Sequence, residues 1–219
     1  YAMKKIVFGG SAVALVGGCI RAASTYNKPR AEALGFMATE NAALFVRPHS
    51  PVKGSEDAKV YVVKFTDPAC ETCAAFAGFM EQGMEVYPGK LKLVIRYAPF
   101  HEGAPDIVRI LEAARRQGKY WETLHLLYAS QDRWTAHHRV SVDKVWPLLT
   151  RVGLDVTRVR KDMNDPEITR IIEQDLADGR TLGVTKTPGF FVNGKPLEPF
   201  GAEELRDLIE SEIRAKYPN

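Results

Sequence analysis

Apolar residues along this chain form short runs separated by polar turns, and their spacing predicts strands alternating with helices. The run Val60 to Thr66 is rich in β-branched and aromatic residues, which is typical of a buried strand. A helix is expected from Cys70 to about Tyr87, because Pro88-Gly89 ends it. Leu91 to Tyr97 predicts a second strand, parallel to the first because a helical crossover joins them. Before this unit, Pro48 to Asp57 has the composition of a turn region.

From residue 104 to 182 the pattern changes. Apolar residues recur there at helical spacing, as in Ile107, Ile110 and Leu111. Polar breaks divide the segment into four or five predicted helices. The segment is therefore interpreted as a helical insertion between two regions of strand pattern.

Strand patterns return after this helical segment. Gly189 to Val192 predicts a short strand, and Asn193-Gly194 is the strongest short signal for a hairpin turn. Lys195 to Glu198 is then expected to pair back on that strand. Residues 202–217 predict a final amphipathic helix.

The first residues, 1–24, have the pattern of a targeting segment. Tyr1-Ala2 is interpreted as a tag remnant before a native start at Met3. Lys4-Lys5 form a basic n-region. Ile6 to Gly18 is apolar or small throughout, which suits the h-region of a signal peptide and is short for a transmembrane helix.

The end of this segment, Val16-Gly17-Gly18-Cys19, resembles a bacterial lipobox, in which the cysteine is lipidated after cleavage. Three outcomes stay open: a lipoprotein anchored through Cys19, an ordinary cleaved signal peptide, and an uncleaved N-terminal anchor. Each exports the chain to the periplasm or another extracytoplasmic compartment, where disulfides persist. A buried N-terminal helix is less favoured, because the glycines weaken any helix.

Residues 25–47 are expected to form an N-terminal helical arm that follows a polar linker. The apolar spacing within 31–46 is partly helical. Two interpretations are open for this arm: it packs on the domain, or it joins copies of the chain into a homo-oligomer.

Composition narrows the class of protein. Apolar residues make up 45% of the 219 residues, which can supply a buried core without disulfide staples. The net charge of +3 is too balanced to indicate a nucleic-acid partner. The three cysteines do not form a disulfide framework, because Cys70 and Cys73 pair by their spacing and Cys19 is left over.

The motif Cys70-Glu71-Thr72-Cys73 carries the candidate chemistry. Two cysteines separated by two residues at the start of a helix can close a disulfide without backbone movement. That geometry makes the first sulfur a good leaving group and a good nucleophile, as thiol–disulfide exchange requires. Metal sites use the same spacing, so the motif alone does not decide between redox chemistry and metal binding.

A second motif, Thr187-Pro188, stands directly before the predicted hairpin. The order of strand, Cys-x-x-Cys helix, strand, helices, Thr-Pro, hairpin and helix resembles the DsbA-like thiol–disulfide oxidoreductases of the thioredoxin superfamily. Two segments carry this resemblance: Phe65-Thr66-Asp67-Pro68-Ala69-Cys70-Glu71-Thr72-Cys73 and Thr187-Pro188-Gly189-Phe190-Phe191-Val192-Asn193-Gly194.

This resemblance covers roughly residues 48–216 and implies an α/β thioredoxin fold with an inserted helical subdomain. On this interpretation, residues 48–102 and 183–219 form the thioredoxin-fold domain, and residues 103–182 form the helical insertion. The resemblance implies neither a cofactor nor a metal.

The resemblance also implies a cis peptide bond at Pro188 that faces the cysteines, with the Thr187 backbone available to pair with a substrate peptide. Physical chemistry then distinguishes the two thiols. Cys70 lies near the start of the helix, where N–H groups without partners and the helix dipole favour a thiolate, so its pKa should fall below about 8.5. Cys73 lies one turn further on and is expected to be the more buried, resolving thiol.

Five residues around the cysteines are candidate modulators. Glu71 stands where strongly oxidising members carry histidine, and a carboxylate disfavours a neighbouring thiolate, which predicts a weaker oxidant. Asp67 would act in the same direction, unless both acids point to solvent. Lys64 replaces an acid that is thought to assist proton transfer in related proteins, so it either pairs with a thiolate or an acid, or lies at a sheet edge. Thr72 completes the motif, and His101 either acts at the site or caps a helix.

The leading hypothesis is an exported protein disulfide oxidoreductase that acts on protein substrates bearing thiols or disulfides. The disulfide-forming direction, with a membrane redox partner that keeps the chain oxidised, is favoured over a disulfide isomerase or reductase. Two alternatives belong to other classes. One is an extracytoplasmic copper- or zinc-binding module in which Cys70, Cys73 and a histidine hold the metal, and the other is a redox-inactive binding scaffold.

Overall fold

The computed structural model describes residues 42–137 and 139–218. In chain order, its helices and strands are α1 (Ala42–Phe45), β1 (Val52–Gly54), β2 (Val60–Thr66), α2 (Glu71–Val86), β3 (Leu91–Tyr97), α3 (Ala104–Arg115), α4 (Tyr120–Ala129), α5 (Gln131–Trp134), β4 (Thr135–Ala136), β5 (Arg139–Val140), α6 (Trp146–Leu149), α7 (Val156–Asp162), α8 (Pro166–Thr181), β6 (Gly189–Val192), β7 (Lys195–Pro196) and α9 (Ala202–Lys216). Short 3₁₀ helices at Val142–Lys144 and Thr150–Val152 flank α6.

The central sheet has the strand order β1-β3-β2-β6-β7. β2 and β3 are parallel, with Val63 opposite Val94, and α2 connects them. β6 lies antiparallel on the other side of β2, while β1 and β7 form antiparallel edges. β2 and β3 have the bounds that their β-branched runs predict. Because β2 is the middle strand, its carboxyl end and the start of α2 lie midway across the sheet, between β3 and β6.

Three details differ from the sequence prediction. β1 lies inside the segment predicted as turns, because it is three residues long and forms only by pairing with the distant β3. The helix after β2 begins at Glu71, and Cys70 is its N-cap. β7 is only Lys195–Pro196, shorter than the predicted Lys195 to Glu198, although the Leu197 N–H still donates to the Phe190 carbonyl at 3.0 Å.

The segment between β3 and β6 holds more elements than predicted. Among the described residues it forms six α-helices, α3 to α8, where four or five were expected. The extra ones are single turns, since α5 and α6 have four residues each. β4 and β5 also pair there as a small antiparallel ribbon. Elements this short leave no periodic signal in the sequence.

Both faces of the sheet are buried, as the continuous apolar runs of β2 and β3 require. Val62 and Ile95 face the larger core, which includes residues of α2, of α9 and of the helical segment. Val63 and Val94 face a smaller core on the opposite side. The alternation along each strand therefore leaves the end of β2 covered from both sides.

Only the end of the predicted N-terminal arm falls among the described residues. Phe45 in α1 is fully buried and meets the Phe191 ring edge-on at 5.4 Å, so this end packs on the sheet. The predicted targeting segment 1–24, with Cys19, and residues 25–41 of the arm lie outside the described residues. Within the part of the chain that is described, no helix has both the length and the apolar character needed to cross a membrane.

Candidate active site

Cys70 ends the loop that joins β2 to α2. As the N-cap it has extended backbone angles (φ −82°, ψ 120°), and its carbonyl accepts a helical hydrogen bond from the Ala74 N–H at 3.2 Å. Its side chain is buried, and its Sγ lies 3.4 Å from the Thr187 carbonyl oxygen, to which it can donate while it is protonated. The Thr187–Pro188 peptide bond is cis. The fold thus brings together the two sequence motifs across a separation of 117 residues.

Cys73 lies one turn further along α2, and the two thiols have opposite acidities. A hydrogen bond from Cys73 lowers the pKa of Cys70 to about 5, against the opposing effect of burial. The Thr187 side chain and the backbone N–H groups of Thr72 and Cys73 act in the same direction. Burial and the hydrogen bond with Cys70 raise the pKa of Cys73 well above its ordinary value. One sulfur is therefore a thiolate at neutral pH, and its partner holds a proton.

Lys64 lies on β2, and its side chain extends to the backbone of Cys73. Its side chain is buried, its Nζ donates to the Cys73 carbonyl at 2.7 Å, and it lies 5.3 Å from the centroid of the Tyr128 ring. Because β2 is the middle strand, the expectation that Lys64 lies at a sheet edge is wrong. Burial lowers the pKa of its ammonium group to about 8, while the charges of Cys73 and Cys70 oppose part of this fall.

Asp67 anchors the loop that precedes Cys70. Its carboxylate is fully buried, accepts the Ala69 N–H at 2.8 Å and accepts the His101 N–H at 2.8 Å. The His101 ring Nδ1 also lies 2.8 Å from Asp67 Oδ2. The expectation that both acids point to solvent is therefore wrong for Asp67, whereas Glu71 is exposed. Asp67 therefore fixes the conformation of the loop before Cys70. His101 is connected to this loop through its hydrogen bonds with Asp67.

Gln131 is a site residue that the sequence reading missed. Its Nε2 is buried and donates to the Pro68 carbonyl at 2.7 Å and to the Cys70 carbonyl at 3.1 Å. The helical segment thereby holds the backbone of the loop between β2 and α2 at Pro68 and at Cys70. Nothing in the local sequence indicates this role, because the two carbonyls are more than 60 positions away.

A cleft of about 260 Å³ opens beside Cys70. Its floor is the start of α2, with the exposed Glu71 and Thr72, and its wall includes His101 and the first residues of the β4–β5 ribbon. A segment of another protein can therefore approach the Cys70 sulfur from this side.

The described residues do not bring three or more histidine, cysteine or acidic side chains together in a group that could hold a metal ion. The near neighbours of the two thiols are instead Lys64, Thr187 and backbone amides. This surrounding suits a reacting pair of sulfurs.

Two solved structures share this architecture. A thioredoxin-like oxidoreductase from Silicibacter pomeroyi DSS-3 is 30% identical, with 82% of this chain and 99% of that chain covered and a TM-score of 0.68. The thiol-disulfide exchange protein alpha-DsbA2 from Wolbachia pipientis is 19% identical, with 84% and 97% covered and a TM-score of 0.70. At 19% identity, the second structure shows a likeness of fold alone.

Among curated proteins, this chain is similar to part of the Na(+)/H(+) antiporter NhaA of Herminiimonas arsenicoxydans. The two are 29% identical over 164 residues, which is 74% of this chain and 25% of the antiporter. The chain thus spans about a quarter of the length of the curated relatives it matches. Ion transport is a property of those whole proteins.

Residues 47–211 match the family model described as Thioredoxin, which is more than half of the chain. The match includes the Cys70 motif, Thr187-Pro188 and the helical segment between them. Together with the fold and the 30% identical structure, it confirms the resemblance stated from the motifs. This chain belongs to the thioredoxin family and has a DsbA-like thioredoxin fold with a helical insertion.

Proposed function

We propose that this chain is an exported thiol–disulfide oxidoreductase that exchanges disulfides with protein substrates through Cys70 and Cys73. The observation that carries the proposal is the opposite acidity of two thiols one turn apart at the start of α2. The more acidic sulfur borders an open cleft, whereas the less acidic one is fully buried. An exchange reaction needs this division between an attacking and a resolving sulfur.

The proposed reaction in the disulfide-forming direction has two steps. A substrate thiolate attacks Cys70 Sγ of the oxidised chain, the Cys70–Cys73 bond breaks, and Cys73 leaves with the electron pair. A second substrate thiolate then attacks the substrate sulfur of the mixed disulfide, and Cys70 leaves as a thiolate. The substrate is oxidised to a disulfide, and this chain is reduced to its dithiol. A sulfur of low pKa is a good leaving group, so the second step suits Cys70.

The low pKa of Cys70 supports the disulfide-forming direction. A stabilised thiolate lowers the free energy of the reduced chain, which makes its oxidised form a stronger oxidant. Glu71 opposes this effect, but its carboxylate is exposed and therefore screened by solvent. A reduction potential near that of thioredoxin, about −270 mV, would contradict the disulfide-forming direction and favour a reductase or isomerase.

Substrate peptides are proposed to bind beside Cys70, along Thr187 and Pro188. The short distance from the Thr187 carbonyl to Cys70 Sγ supports this placement, because a peptide paired with the Thr187 backbone would carry its own cysteine to that sulfur. The bond exchange itself uses only sulfurs and protons, so the proposed activity requires no cofactor.

The proposed compartment and partners rest on the sequence. Export follows from the targeting pattern of residues 1–24, and anchoring through Cys19 from its lipobox-like context. A membrane redox partner would reoxidise the dithiol, and the arm at 25–47 would join copies if the chain is oligomeric. Fractionation of cells that express the full chain and its Cys19→Ala variant tests the anchor: loss of the membrane-bound fraction in the variant is expected.

Trapping in the native host tests the exchange reaction. A Cys73→Ala variant should accumulate mixed disulfides through Cys70, because the resolving thiol is missing. These adducts are detected as reducible bands on non-reducing gels and identified by mass spectrometry. The matched control is the Cys70→Ser, Cys73→Ala double variant, which should form none. A folded Cys73→Ala chain that also forms no adducts would contradict the proposed function.

A further inference from the structure

The loop between β2 and α2 leaves one of its buried carbonyls without a local donor. The Cys70 N–H donates to the Asp67 carbonyl at 3.1 Å, and the Ala69 N–H donates to the Asp67 carboxylate at 2.8 Å. Pro68 has no N–H, and among the described residues its buried carbonyl accepts no backbone hydrogen bond. The backbone next to the nucleophile therefore needs a donor from elsewhere in the fold.

Gln131, the first residue of α5, supplies this donor. Its Nε2 donates to the Pro68 carbonyl at 2.7 Å and to the Cys70 carbonyl at 3.1 Å. Both acceptors are carbonyl oxygens, which only the nitrogen of the side-chain amide can serve, so the chemistry fixes which end of the amide faces the loop. The same Cys70 carbonyl accepts the Ala74 N–H in the first turn of α2. Gln131 therefore holds the backbone where the loop becomes the helix.

The helical segment gives Gln131 a rigid base. Gln131 is 8% exposed, and Trp134, at the end of the same helical turn, is 1% exposed. The Trp134 indole Nε1 donates to the Leu127 carbonyl at 3.0 Å, which ties α5 to α4. The Thr135 hydroxyl donates to the Gln131 carbonyl at 2.9 Å and closes the turn. A buried side chain on an anchored backbone has few alternative rotamers, so Gln131 stays directed at the loop.

The acidity of Cys70 depends on where its sulfur lies relative to α2. The Cys73 thiol and the backbone N–H groups of Thr72 and Cys73 lower the pKa of Cys70 to about 5. These groups belong to the first turn of α2, so their effect requires the extended backbone angles that place the Cys70 side chain beside them. Rotation about the Cys70 ψ angle would move its carbonyl away from Gln131. The hydrogen bond to that carbonyl therefore also fixes the direction of the Cys70 side chain.

We propose that Gln131 is the positioning residue of the nucleophile: it holds the Pro68 and Cys70 carbonyls so that the Cys70 sulfur stays beside the first turn of α2. This inference rests on the proposed function, since it concerns the sulfur that attacks in that exchange. It assigns to the helical segment a share in setting the reactivity of the cysteine pair. Without the two Gln131 hydrogen bonds, the Cys70 thiolate loses part of its stabilisation.

Loss of the Gln131 hydrogen bonds is expected to make the chain a weaker oxidant. A less stabilised thiolate has a higher pKa, and it raises the free energy of the reduced chain relative to its disulfide form. A rise of about one pKa unit changes the equilibrium constant with glutathione about tenfold at pH 7, where Cys70 is still mainly a thiolate. For a two-electron couple, this tenfold change is about 30 mV.

The test compares Gln131→Met with a matched variant, Gln117→Met. Methionine has nearly the length of glutamine but no N–H donor. Gln117 belongs to the same helical segment and also bonds a backbone carbonyl, that of Asp155 at 3.2 Å, but it has no contact with the cysteine loop among the described residues. In Gln131→Met, the midpoint of the Cys70 titration should rise by about one pH unit or more, as followed by the ultraviolet absorbance of the thiolate. Redox titration with glutathione should show a disulfide that is about tenfold less readily reduced. Gln117→Met should leave both values unchanged.

A second measurement needs no substitution at Gln131. In the reduced, isotopically labelled chain, the side-chain amide resonances of Gln131 should shift with pH at the same midpoint as Cys70, because the amide donates to the Cys70 carbonyl. In Cys70→Ser this shift should be absent, which excludes the titration of nearby carboxylates as its cause. Nuclear magnetic resonance therefore keeps the inference testable if Gln131→Met does not give a native circular dichroism spectrum.

Each outcome decides the inference. A folded Gln131→Met whose Cys70 midpoint stays within about 0.3 pH unit of the unsubstituted chain would overturn it, because a merely structural role lowers stability without moving that midpoint. Amide resonances of Gln131 that do not follow the Cys70 titration would also overturn it. So would an equal shift of the midpoint in Gln117→Met, since the effect would then be general to the helical segment. Failure of the unsubstituted chain to exchange disulfides with glutathione would instead contradict the proposed function.

Discussion

Arg96 and Lys64 are two buried cations on adjacent strands, and their surroundings are opposite. Arg96 is fully buried on β3 and bonds two carboxylates, with its Nε 2.8 Å from Asp175 and its second nitrogen on Asp178, as well as the Leu44 carbonyl at 2.8 Å. Lys64, on β2, bonds only the Cys73 carbonyl among the described residues. The paired cation stabilises the fold, whereas the unpaired one is free to exchange a proton.

Two residues just after α1, Arg47 and His49, also bind the carboxylates that pair with Arg96. Arg47 makes two hydrogen bonds to Asp178, and His49 lies 2.7 Å from Asp175. Burial alone would raise the pKa of Asp178, but the hydrogen bonds from Arg47 and Arg96 outweigh it and hold that pKa below its ordinary value. This cluster joins the residues after α1 to β3 and α8.

Removal of Arg96 is expected to have the largest effect on stability. Arg96→Met leaves two buried carboxylates without their central partner, so the free energy of unfolding should fall by about 3–5 kcal/mol. Denaturant unfolding of the reduced chain measures it. The matched control is Arg158→Met, an exposed partner of Asp162 on α7, which should cost less than about 1 kcal/mol. A loss below about 1 kcal/mol in Arg96→Met would show that the cluster does not stabilise the fold.

Removal of Lys64 should instead raise the free energy of unfolding. Its pKa falls from 10.5 to about 8 on folding, so below pH 8 the folded state pays for a buried charge. Lys64→Met should raise the free energy of unfolding by on the order of 1–3 kcal/mol at pH 7. Because the folded chain holds fewer protons than the unfolded chain between pH 8 and 10.5, this gain should fade as pH rises through that window.

Denaturant unfolding of Lys64→Met at pH 7 and pH 10, both in the reduced state, measures that gain and its loss. Lys92→Met is the control and should differ from the unsubstituted chain by less than about 0.5 kcal/mol at either pH. If Lys64→Met is destabilised as strongly as Arg96→Met, the contrast between the two buried cations is wrong.

The smallest expected effect is on the reactivity of Cys70. Its alkylation by iodoacetamide should be independent of pH from 6 to 8 and fall about tenfold per pH unit below its pKa of about 5. Mass spectrometry of the reduced chain follows the rate at Cys70. In Cys73→Ala the fall should begin at a higher pH, because the hydrogen bond that lowers this pKa most is gone. A midpoint near 8.5 in both chains would refute the stabilised thiolate.

The strands and the reactive motif could be predicted because their signals are local. Val60–Thr66 and Leu91–Tyr97 are continuous apolar runs bounded by turns, and both form strands with those bounds. The helix that follows β2 was expected from Pro88-Gly89 at its end and begins one residue later than predicted. The three-residue β1 was not predicted, because it forms by pairing with β3, a strand far along the chain.

The surroundings of the cysteines could not be predicted in the same way. Gln131 and Tyr128 come from the helical segment, yet one holds the Cys70 loop and the other covers Lys64. Asp67 was expected either to oppose a thiolate or to point to solvent, but its carboxylate is buried and accepts hydrogen bonds from the Ala69 and His101 N–H groups. Such roles depend on which distant backbone groups need partners, and no spacing rule encodes that need.

The sequence by itself determined the strand–helix–strand unit, the hairpin and the two motifs of the thioredoxin family, because periodicity and spacing are properties of neighbouring residues. The tertiary structure decided the charge state of the site. It buried Lys64 without an acid, placed Thr187 against Cys70, and separated the pKa values of two cysteines that have the same intrinsic chemistry. The physical reason is that a pKa depends on burial and on hydrogen-bond partners, both of which exist only once distant segments have packed together.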